Sequence, residues 1–242
     1  MSTKRYALAF EVASSLGIFA APDTGSEPSS YPLPTASACK GIIESIYWIK
    51  GIHLRIVAVA TCGMPSWTNF AFNSGSPIRK ESTVKKDSLC QIRATVLESP
   101  RFQILATVEN SHDPALDEHY QRNNNAHRFQ DQFLLRVKKG QSFHPPCMGW
   151  KEFALSYCGP QMTPIEQKFN TVLPAMLFRM FDDNGNTKVE SIMNVRIANG
   201  VLRYTDDAVV IGDGILAFDD LVLQTQVAAC WAKRRYKKRR VR

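Results

Sequence analysis

Two spacings of apolar residues alternate along this chain, and together they limit the folds available to it. Apolar side chains occupy every second position over residues 6–12, the pattern of a β-strand with one buried face. In "KGIIESIYWIK" they recur every three or four positions, as at Ile42 and Ile46, which predicts a helix over residues 40–50 that ends at Gly51. A chain with both spacings is expected to combine sheet and helix.

A second helix is predicted over about residues 126–139, where phenylalanines share one face. Asn125 can cap its first turn and Gly140 can end it. At the first helix, either Thr35 or Ser37 can serve as the N-cap.

Three further segments have the composition of strands: "LRIVAVATC", "QIRATVLESPRFQILATVE" and "WKEFALSY". The second of these predicts a hairpin that turns at Ser99 and Pro100. The order is then strand, helix, strand, strand, helix, strand. This order predicts an α+β fold with a ferredoxin-like βαββαβ domain, an arrangement that RNA-recognition domains also use.

The domain organisation follows from a change of pattern near Gly159. We predict a ferredoxin-like domain over residues 1–158 and a small antiparallel β-sheet domain over residues 159–225. Within the latter, Asn199-Gly200 in "VRIANGVLRY" suits the type I′ turn of a hairpin. A basic tail over residues 226–242 completes the chain.

The net charge of +8 comes from that tail and not from the predicted folded domains. Eight of the last ten residues, "KRRYKKRRVR", are Lys or Arg. Without them, 22 basic residues balance 22 acidic ones. The tail is suited either to phosphate contacts or to a solvated end, and the overall charge is weak evidence that the folded part binds nucleic acid.

Several classes of protein are disfavoured by what the sequence lacks. It has no P-loop, no G-x-S-x-G and no H-E-x-x-H motif, and no apolar run long enough to cross a bilayer. Its six cysteines form no C-x-x-C pair, which predicts reduced thiols. The N-terminus shows no secretory signal, so a cytoplasmic protein is expected. "HPPC" alone is weak evidence for a ligand pair, and the sequence predicts neither a metal nor a cofactor.

What remains is a set of groups suited to acid–base chemistry without a metal. Lys40, Glu44 and Tyr47 fall opposite the apolar stripe of the first helix. His127 falls in the first turn of the second helix, away from Phe129, where backbone amides and the helix dipole favour phosphate. Such groups can move the protons needed to cut RNA. On composition alone, an exposed tyrosine or histidine is more often an ordinary surface residue.

A longer stretch carries a resemblance to a known family. "PDTGSEPSSYPLPTASACKGIIESIYWIK" resembles the signature of the Cas-five family of CRISPR-associated proteins, in its Dvulg (type I-C) subtype. Further matches are "SGSPIRKESTVKK", "QIRATVL", "NNAHRFQDQFLLRVKKGQSFHPPCMGWKEF" and "NVRIANGVLRY". In order, they span roughly residues 5–205.

The resemblance implies a fold and a role. The fold is a ferredoxin-like domain of the RAMP type with a small β-sheet domain. The role is that of a metal-independent endoribonuclease that cuts the repeat of precursor CRISPR RNA and leaves a 2′,3′-cyclic phosphate. Such a protein then stays on the 5′ handle of the mature crRNA within the Cascade interference complex. The implied partners are the backbone subunit, the large subunit, in some complexes a small subunit, and target DNA.

The resemblance also implies site residues. Family members use a tyrosine on the first helix, which corresponds to Tyr47, and a Lys-His pair before the second helix, which corresponds to His127. Here the residue before that histidine is Ala126. Arg122, Arg128 or Lys40 is then left to supply the positive charge. If none does, the protein is a structural subunit that holds a 5′ handle cut by another enzyme.

Two further segments are implied to bind RNA. "SGSPIRKESTVKK" resembles the family's basic thumb, near residues 73–90, and "GQSFHPPCMGWKEF" resembles its glycine-rich region. A solvated loop is the alternative for the first, and a core position is the alternative for Trp150. The residues expected to bind RNA are Lys40, Arg79, Lys80, Lys85, Lys86, Arg128, His144, Trp150 and Lys151.

Overall fold

The computed structural model describes residues 6–74, 90–111, 124–161, 163–181, 187–204, 208–211 and 215–218. These residues form mostly antiparallel sheet with two helices, as the mixed apolar spacing predicted. The helices are α1 (Ala36–Ile46) and α2 (Asn125–Lys139). The strands are β1 (Tyr6–Ala13), β2 (Leu16–Gly17), β3 (Ile52–Thr61), β4 (Trp67–Ser74), β5 (Cys90–Glu98), β6 (Arg101–Asn110), β7 (Tyr157–Gly159), β8 (Thr171–Phe181), β9 (Thr187–Ala198), β10 (Val201–Arg203), β11 (Ala208–Ile211) and β12 (Ile215–Phe218).

The main sheet has seven strands in the order β7-β1-β6-β3-β10-β9-β8, and every neighbouring pair is antiparallel. A second sheet has the order β2-β5-β4, and β11 pairs with β12. The central strands β1 and β6 are almost entirely buried. The alternation over residues 6–12 indicated one buried face, but every residue of β1 is buried, because small residues such as Ala7 and Ala9 fill the second face.

Both helices pack on one face of this sheet. Alternate residues of β1, such as Leu8 and Phe10, point toward them, and the ring of Phe10 meets that of Phe133 at 5.1 Å between centroids. Phe129 and Phe133 are fully buried. Each such side chain contributes about 1.5–3 kcal/mol by leaving water, so this layer supplies much of the stability. The opposite face is lined by small residues, including Ala9.

Helix α1 begins where the sequence predicted but ends earlier. Thr35 is the N-cap, with its hydroxyl accepting from the amide of Ala38 at 3.1 Å. The helix was expected to continue to Gly51, but it ends at Ile46. The carbonyl of Ser45, which would bond the next turn, instead accepts from amides of the segment after α2. A tertiary contact thus replaces the last turn that the apolar spacing suggested.

Helix α2 is close to its predicted position. Asn124, one residue before the predicted cap, accepts at its side chain from the amide of His127 at 3.2 Å. Gly140 ends the helix in the left-handed region, at φ 63°, which glycine adopts readily.

The predicted hairpin around Ser99 and Pro100 is wrong: both of its strands, β5 and β6, are present, but they do not pair with each other. β5 pairs with β2 and β4, whereas β6 pairs with β1 and β3, so the chain changes sheets between them. Ser99 adopts φ 46° at this corner, and its amide donates to Ser15 at 2.7 Å. β4 was not predicted, and "WKEFALSY" forms no strand apart from β7, which starts at its last residue, Tyr157.

The predicted division near residue 158 does not separate two sheets. β10 pairs with β3 on one side and β9 on the other, so the C-terminal strands extend the main sheet. The predicted turn is confirmed: Asn199 and Gly200 have φ values of 52° and 73°, as a type I′ turn requires. The basic tail at residues 226–242 lies outside the described residues.

Candidate functional site

Tyr47 is the C-cap of α1 and has an extended backbone, with φ at −154°. Its ring centroid lies 5.4 Å from that of Phe129 on α2. The guanidinium of Arg136 covers the same ring, with Cζ 4.7 Å from the centroid. The tyrosine is therefore partly buried between the helices and has a permanent positive charge against its ring.

Hydrogen bonds hold this region together. Arg136 Nη1 donates to the carbonyl of Ile46 at 3.0 Å. The amides of Phe143 and His144 both donate to the carbonyl of Ser45 at 2.9 Å. These residues and Tyr47 form what we call the α1–α2 seam, defined by Ser45, Ile46, Tyr47, Arg136, Phe143 and His144. The seam combines a phenol, a guanidinium and an imidazole, which are groups that can bind a phosphate and move protons.

His127 lies elsewhere on α2. Its side chain is 54% exposed, and Nδ1 is 3.9 Å from the carboxylate of Asp131. Its ring also meets that of Tyr6 edge-on, with centroids 5.3 Å apart. As predicted, the imidazole points away from Phe129 and Phe133.

The structure does not bring Tyr47 and His127 together. At 100° per residue, Phe129 and Arg136, which contact Tyr47, are about 180–200° around α2 from His127. The two predicted catalytic groups therefore lie on opposite flanks of one helix. The helix end at Ile46 also removes Tyr47 from the face that Lys40 occupies, so the expected shared face is wrong.

The first turn of α2 was expected to offer free amides to a phosphate. Instead, the amide of Ala126 donates to the side chain of Asn110 at 2.8 Å, and that of His127 donates to Asn124 at 3.2 Å. These two donors are already satisfied within the protein. The prediction of an open anion site at these amides is therefore wrong.

Lys40 and Glu44 form the expected pair across one helical turn, with Nζ and Oε1 3.9 Å apart. Burial raises the pKa of the Glu44 carboxyl, and the charge of Lys40 opposes this effect. Arg128 is exposed on α2. Both cations are open to a ligand in solution, and neither lies in the seam.

The predicted glycine-rich region divides into two parts. His144 is exposed and belongs to the seam, with its ring edge-on to that of Phe143 at 4.4 Å. Lys151 is also exposed. Trp150, in contrast, stacks on Phe153 at 6.0 Å and meets Phe72 edge-on at 5.2 Å. This packing favours the core position over base stacking for Trp150.

The thumb residues Arg79, Lys80, Lys85 and Lys86 lie outside the described residues, and so does Arg122. Over the described ranges, no group of three or more His, Cys, Asp or Glu residues is placed to hold a metal ion. In the same part of the chain, neither helix has the length and hydropathy needed to span a membrane.

Three residues of this region were not predicted from the sequence. Arg136 follows Phe129 by seven positions and Phe133 by three, so it continues the apolar face of α2 as a cation. A cation on an otherwise apolar helix face could have indicated from the sequence that Arg136 contacts another part of the protein. Trp48 and Phe143, which are 55% and 71% exposed, carried no signal, because exposure depends on where α1 ends and on how the segment after α2 packs against it.

A separate charged cluster lies beneath the corner between the two sheets. Glu11 is fully buried on β1, and its carboxylate accepts from Arg101, from the hydroxyl of Thr163 and from the amide of Thr163. A cavity of about 230 Å³ opens beside Arg101 and Cys62. Burial raises the pKa of the Cys62 thiol to about 12, and the Glu11 charge adds to this effect. The cavity contains none of the described residues that were predicted to bind RNA.

No protein-family model matches the sequence. Two curated relatives do, and both are named CRISPR pre-crRNA endoribonuclease Cas5d. The protein of Mannheimia succiniciproducens is 28% identical over 206 residues, which cover 76% of this chain and 88% of that protein. The protein of Thermus thermophilus is 28% identical over 162 residues, which cover 66% and 67% respectively.

Two solved structures have similar folds at low sequence identity. A crystal structure of a CRISPR-associated protein matches with a TM-score of 0.63 at 16% identity, covering 85% of this chain and 95% of that one. A functionally uncharacterized protein from Streptococcus mutans matches with a TM-score of 0.62 at 15% identity, covering 84% and 95%.

The mostly antiparallel fold is therefore similar to the fold of a solved CRISPR-associated protein. The sequence relatives give a more specific similarity than the fold does. Both relatives are Cas5d proteins, the same family whose motifs this sequence resembles.

Proposed function

We propose that this protein cleaves precursor CRISPR RNA within the repeat and stays bound to the 5′ handle of the product as a Cascade subunit. The observation that carries the proposal is the match to two relatives that bear the name pre-crRNA endoribonuclease, one over 88% of its length. The α1–α2 seam supports it, because Tyr47 and Arg136 lie together at the end of a helix and both are only partly buried.

The proposed reaction requires no metal. The 2′-hydroxyl loses its proton to a base, and its oxygen attacks the adjacent phosphorus. The bond from phosphorus to the 5′-oxygen breaks, and that oxygen takes a proton from an acid. The products are a 2′,3′-cyclic phosphate and a 5′-hydroxyl. Tyr47 and His127 are the proposed proton-transfer groups, and the Arg136 charge is suited to stabilise the phosphorane.

The opposite positions of these two groups add a condition to this mechanism. If both act on one phosphate, the first turn of α2 must rearrange when RNA binds. If it does not, only Tyr47 is a catalytic residue and His127 holds RNA outside the reacting centre. A comparison of single and double variants separates these cases, because residues that act as a unit have strongly non-additive effects on rate.

We also propose the ferredoxin-like arrangement and the partners implied by the resemblance. The strand order β7-β1-β6-β3, with both helices on one face, supports that arrangement. The proposed partners are precursor and mature crRNA, the backbone, large and small Cascade subunits, and target DNA, in the cytoplasm. The proposed RNA contacts are Lys40, Arg79, Lys80, Lys85, Lys86, Arg128, His144 and Lys151; Trp150 is left out because it packs against the core.

A second candidate function is supported by one observation. Ala126, at the position where the family has lysine, is fully buried, and its amide is bonded to Asn110. The site therefore lacks the family's lysine, and the side chain at this position faces the core and not a bound RNA. In this case the protein is a non-catalytic subunit that only holds the 5′ handle.

The test is incubation of the purified protein with its cognate repeat hairpin in EDTA. Wild type, Tyr47→Phe, His127→Ala and the double variant are compared for binding and single-turnover cleavage, with His53→Ala as a matched histidine control. Cleavage at one position that falls about 10²–10⁴-fold in Tyr47→Phe, with binding retained, is the expected result. Tight binding without cleavage by wild type would support the second candidate instead.

A further inference from the structure

One large aromatic side chain in the α1–α2 seam, Phe143, and one directly beside the seam, Trp48, are not used by the core. Trp48 follows Tyr47 directly and is 55% exposed, and Phe143 is 71% exposed. Elsewhere in the described residues, the exposed large apolar side chains are Met64, one methionine and one valine on each of β8 and β9, and one aromatic, Trp67 on β4, which is 44% exposed and donates to the carbonyl of Ser30. Two aromatics that are more than half exposed, one next to Tyr47 in sequence and one bonded through its amide to Ser45, therefore need a separate explanation.

The backbone holds these aromatics in place. The amide of Phe143 donates to Ser45 at 2.9 Å, and the amides of Gly140 and Gln141 donate to the carbonyl of Arg136. On the other side of the seam, Arg136 is bonded to the carbonyl of Ile46. Trp48 and Phe143 thus belong to segments that are joined by hydrogen bonds, and little ordering is needed before they bind a ligand.

The positive charge around the seam indicates which kind of ligand the exposed aromatics would bind. Arg136 and Lys139 lie in the last turn of α2, and Lys50 follows Trp48 by two residues. Cations at a helix C-terminus complement the helix dipole, so Lys139 alone is unremarkable. Exposed aromatics among cations, however, are the combination that binds single-stranded nucleic acid, because the rings stack on bases and the cations meet phosphates.

We propose that Trp48 and Phe143 form a stacking surface for unpaired bases of the RNA that flank the nucleotide at Tyr47. This inference rests on the proposed function and adds to it the two residues that position the strand. Trp48 and Phe143 are positioning residues, and proton transfer stays with Tyr47 and His127.

The experiment uses the full chain and two probes: a labelled oligouridine, and the cognate repeat RNA with 2-aminopurine placed singly at each unpaired position. Trp48→Ala and Phe143→Ala are compared with Trp48→Phe and Phe143→Tyr, which keep a ring. Met193→Ala, an equally exposed apolar residue on β9, is the control. Thermal unfolding checks that each variant is folded.

The expected result is a loss of affinity of about 5- to 100-fold for each alanine variant, with little change for the ring-retaining variants or for Met193→Ala. At one or two positions, 2-aminopurine fluorescence is quenched by wild type and not by the alanine variant. Unchanged affinity and unchanged quenching in both alanine variants would overturn the inference. This holds even if the variants no longer assemble with other subunits, because the two aromatics would then serve a protein interface and not RNA. If wild type binds and stacks RNA but does not cut it, the nuclease proposal fails and this inference stands. If wild type does not bind either probe, both fail.

Discussion

The guanidinium of Arg136 lies 4.7 Å above the ring of Tyr47 and donates at 3.0 Å to the carbonyl of Ile46, the last residue of α1. One side chain therefore does two things. It satisfies a carbonyl that the helix end leaves without a partner in its own turn, and it places a fixed positive charge beside the phenol. The position of the proposed catalytic group depends on a residue 89 positions further along the chain.

We predict that Arg136→Gln lowers the free energy of unfolding by about 1–3 kcal/mol, since a charged hydrogen bond and a cation–π contact are lost. Cleavage of repeat RNA should fall as well. Arg128→Gln, an exposed arginine on the same helix, is the control and should leave stability within about 0.5 kcal/mol of wild type. Urea unfolding measures both changes, and equal stability of the two variants would contradict the role given to Arg136.

The pair of Glu11 and Arg101 should behave as one unit. Arg101→Met leaves the fully buried Glu11 carboxylate without its charged partner, and we expect the free energy of unfolding to fall by about 3 kcal/mol. This value is at the low end for broken buried pairs, because Arg101 is partly exposed. The double variant Glu11→Gln/Arg101→Met should lose less than the two single variants together. A double-mutant cycle in urea measures the coupling, and additive losses would show that the pair is not coupled.

The N-cap of α1 offers a smaller and more local test. Thr35→Ala removes the hydroxyl that accepts from the amide of Ala38, and should cost about 1 kcal/mol. Thr35→Ser keeps the acceptor and should recover most of that stability. Thermal unfolding of the three proteins at one pH provides the comparison. If Thr35→Ser is as unstable as Thr35→Ala, packing of the methyl group matters more than the cap.

The stability of the protein should fall at alkaline pH. Burial raises the pKa of Cys158 from its ordinary value of 9.0 to about 12 in the folded protein. Between these values the unfolded thiol is ionised and the folded one is not, so the unfolded state binds fewer protons and gains stability as pH rises. The free energy of unfolding should lose about 1.4 kcal/mol per pH unit for this group within that window.

Cys158→Ala is the test of this slope. The variant cannot titrate at this position, so its stability should decline less steeply than that of wild type above pH 9. Urea unfolding at several pH values provides both slopes. Below pH 9 the two slopes should coincide, and a common slope above that value would contradict the assigned pKa.

Much of the fold was accessible from local pattern. The cap at Thr35, the stop at Gly140 and the type I′ turn at Asn199-Gly200 depend on the chemistry of one or two residues, and the structure contains each of them. The family resemblance was likewise contained in the order of short motifs. These features are local, so they can be read before the chain is folded.

The partners of each element were decided by tertiary structure. Ser99 and Pro100 suited a hairpin turn, but whether β5 and β6 pair depends on which strands cover them, and β1 and β3 take β6. In the same way, the spacing of isoleucines favoured a helix beyond Ile46, but the carbonyls of its last turn are bonded by Arg136 and the segment after α2.

The candidate site shows the same division. The sequence by itself determined that Tyr47 and His127 are available for acid–base chemistry, and the family pattern pointed to both. Only the tertiary structure decided that Arg136 covers Tyr47 and that His127 lies on the opposite flank of α2. The physical reason is that the residue types fix which protons can move, whereas distances between them depend on how two helices pack on one sheet.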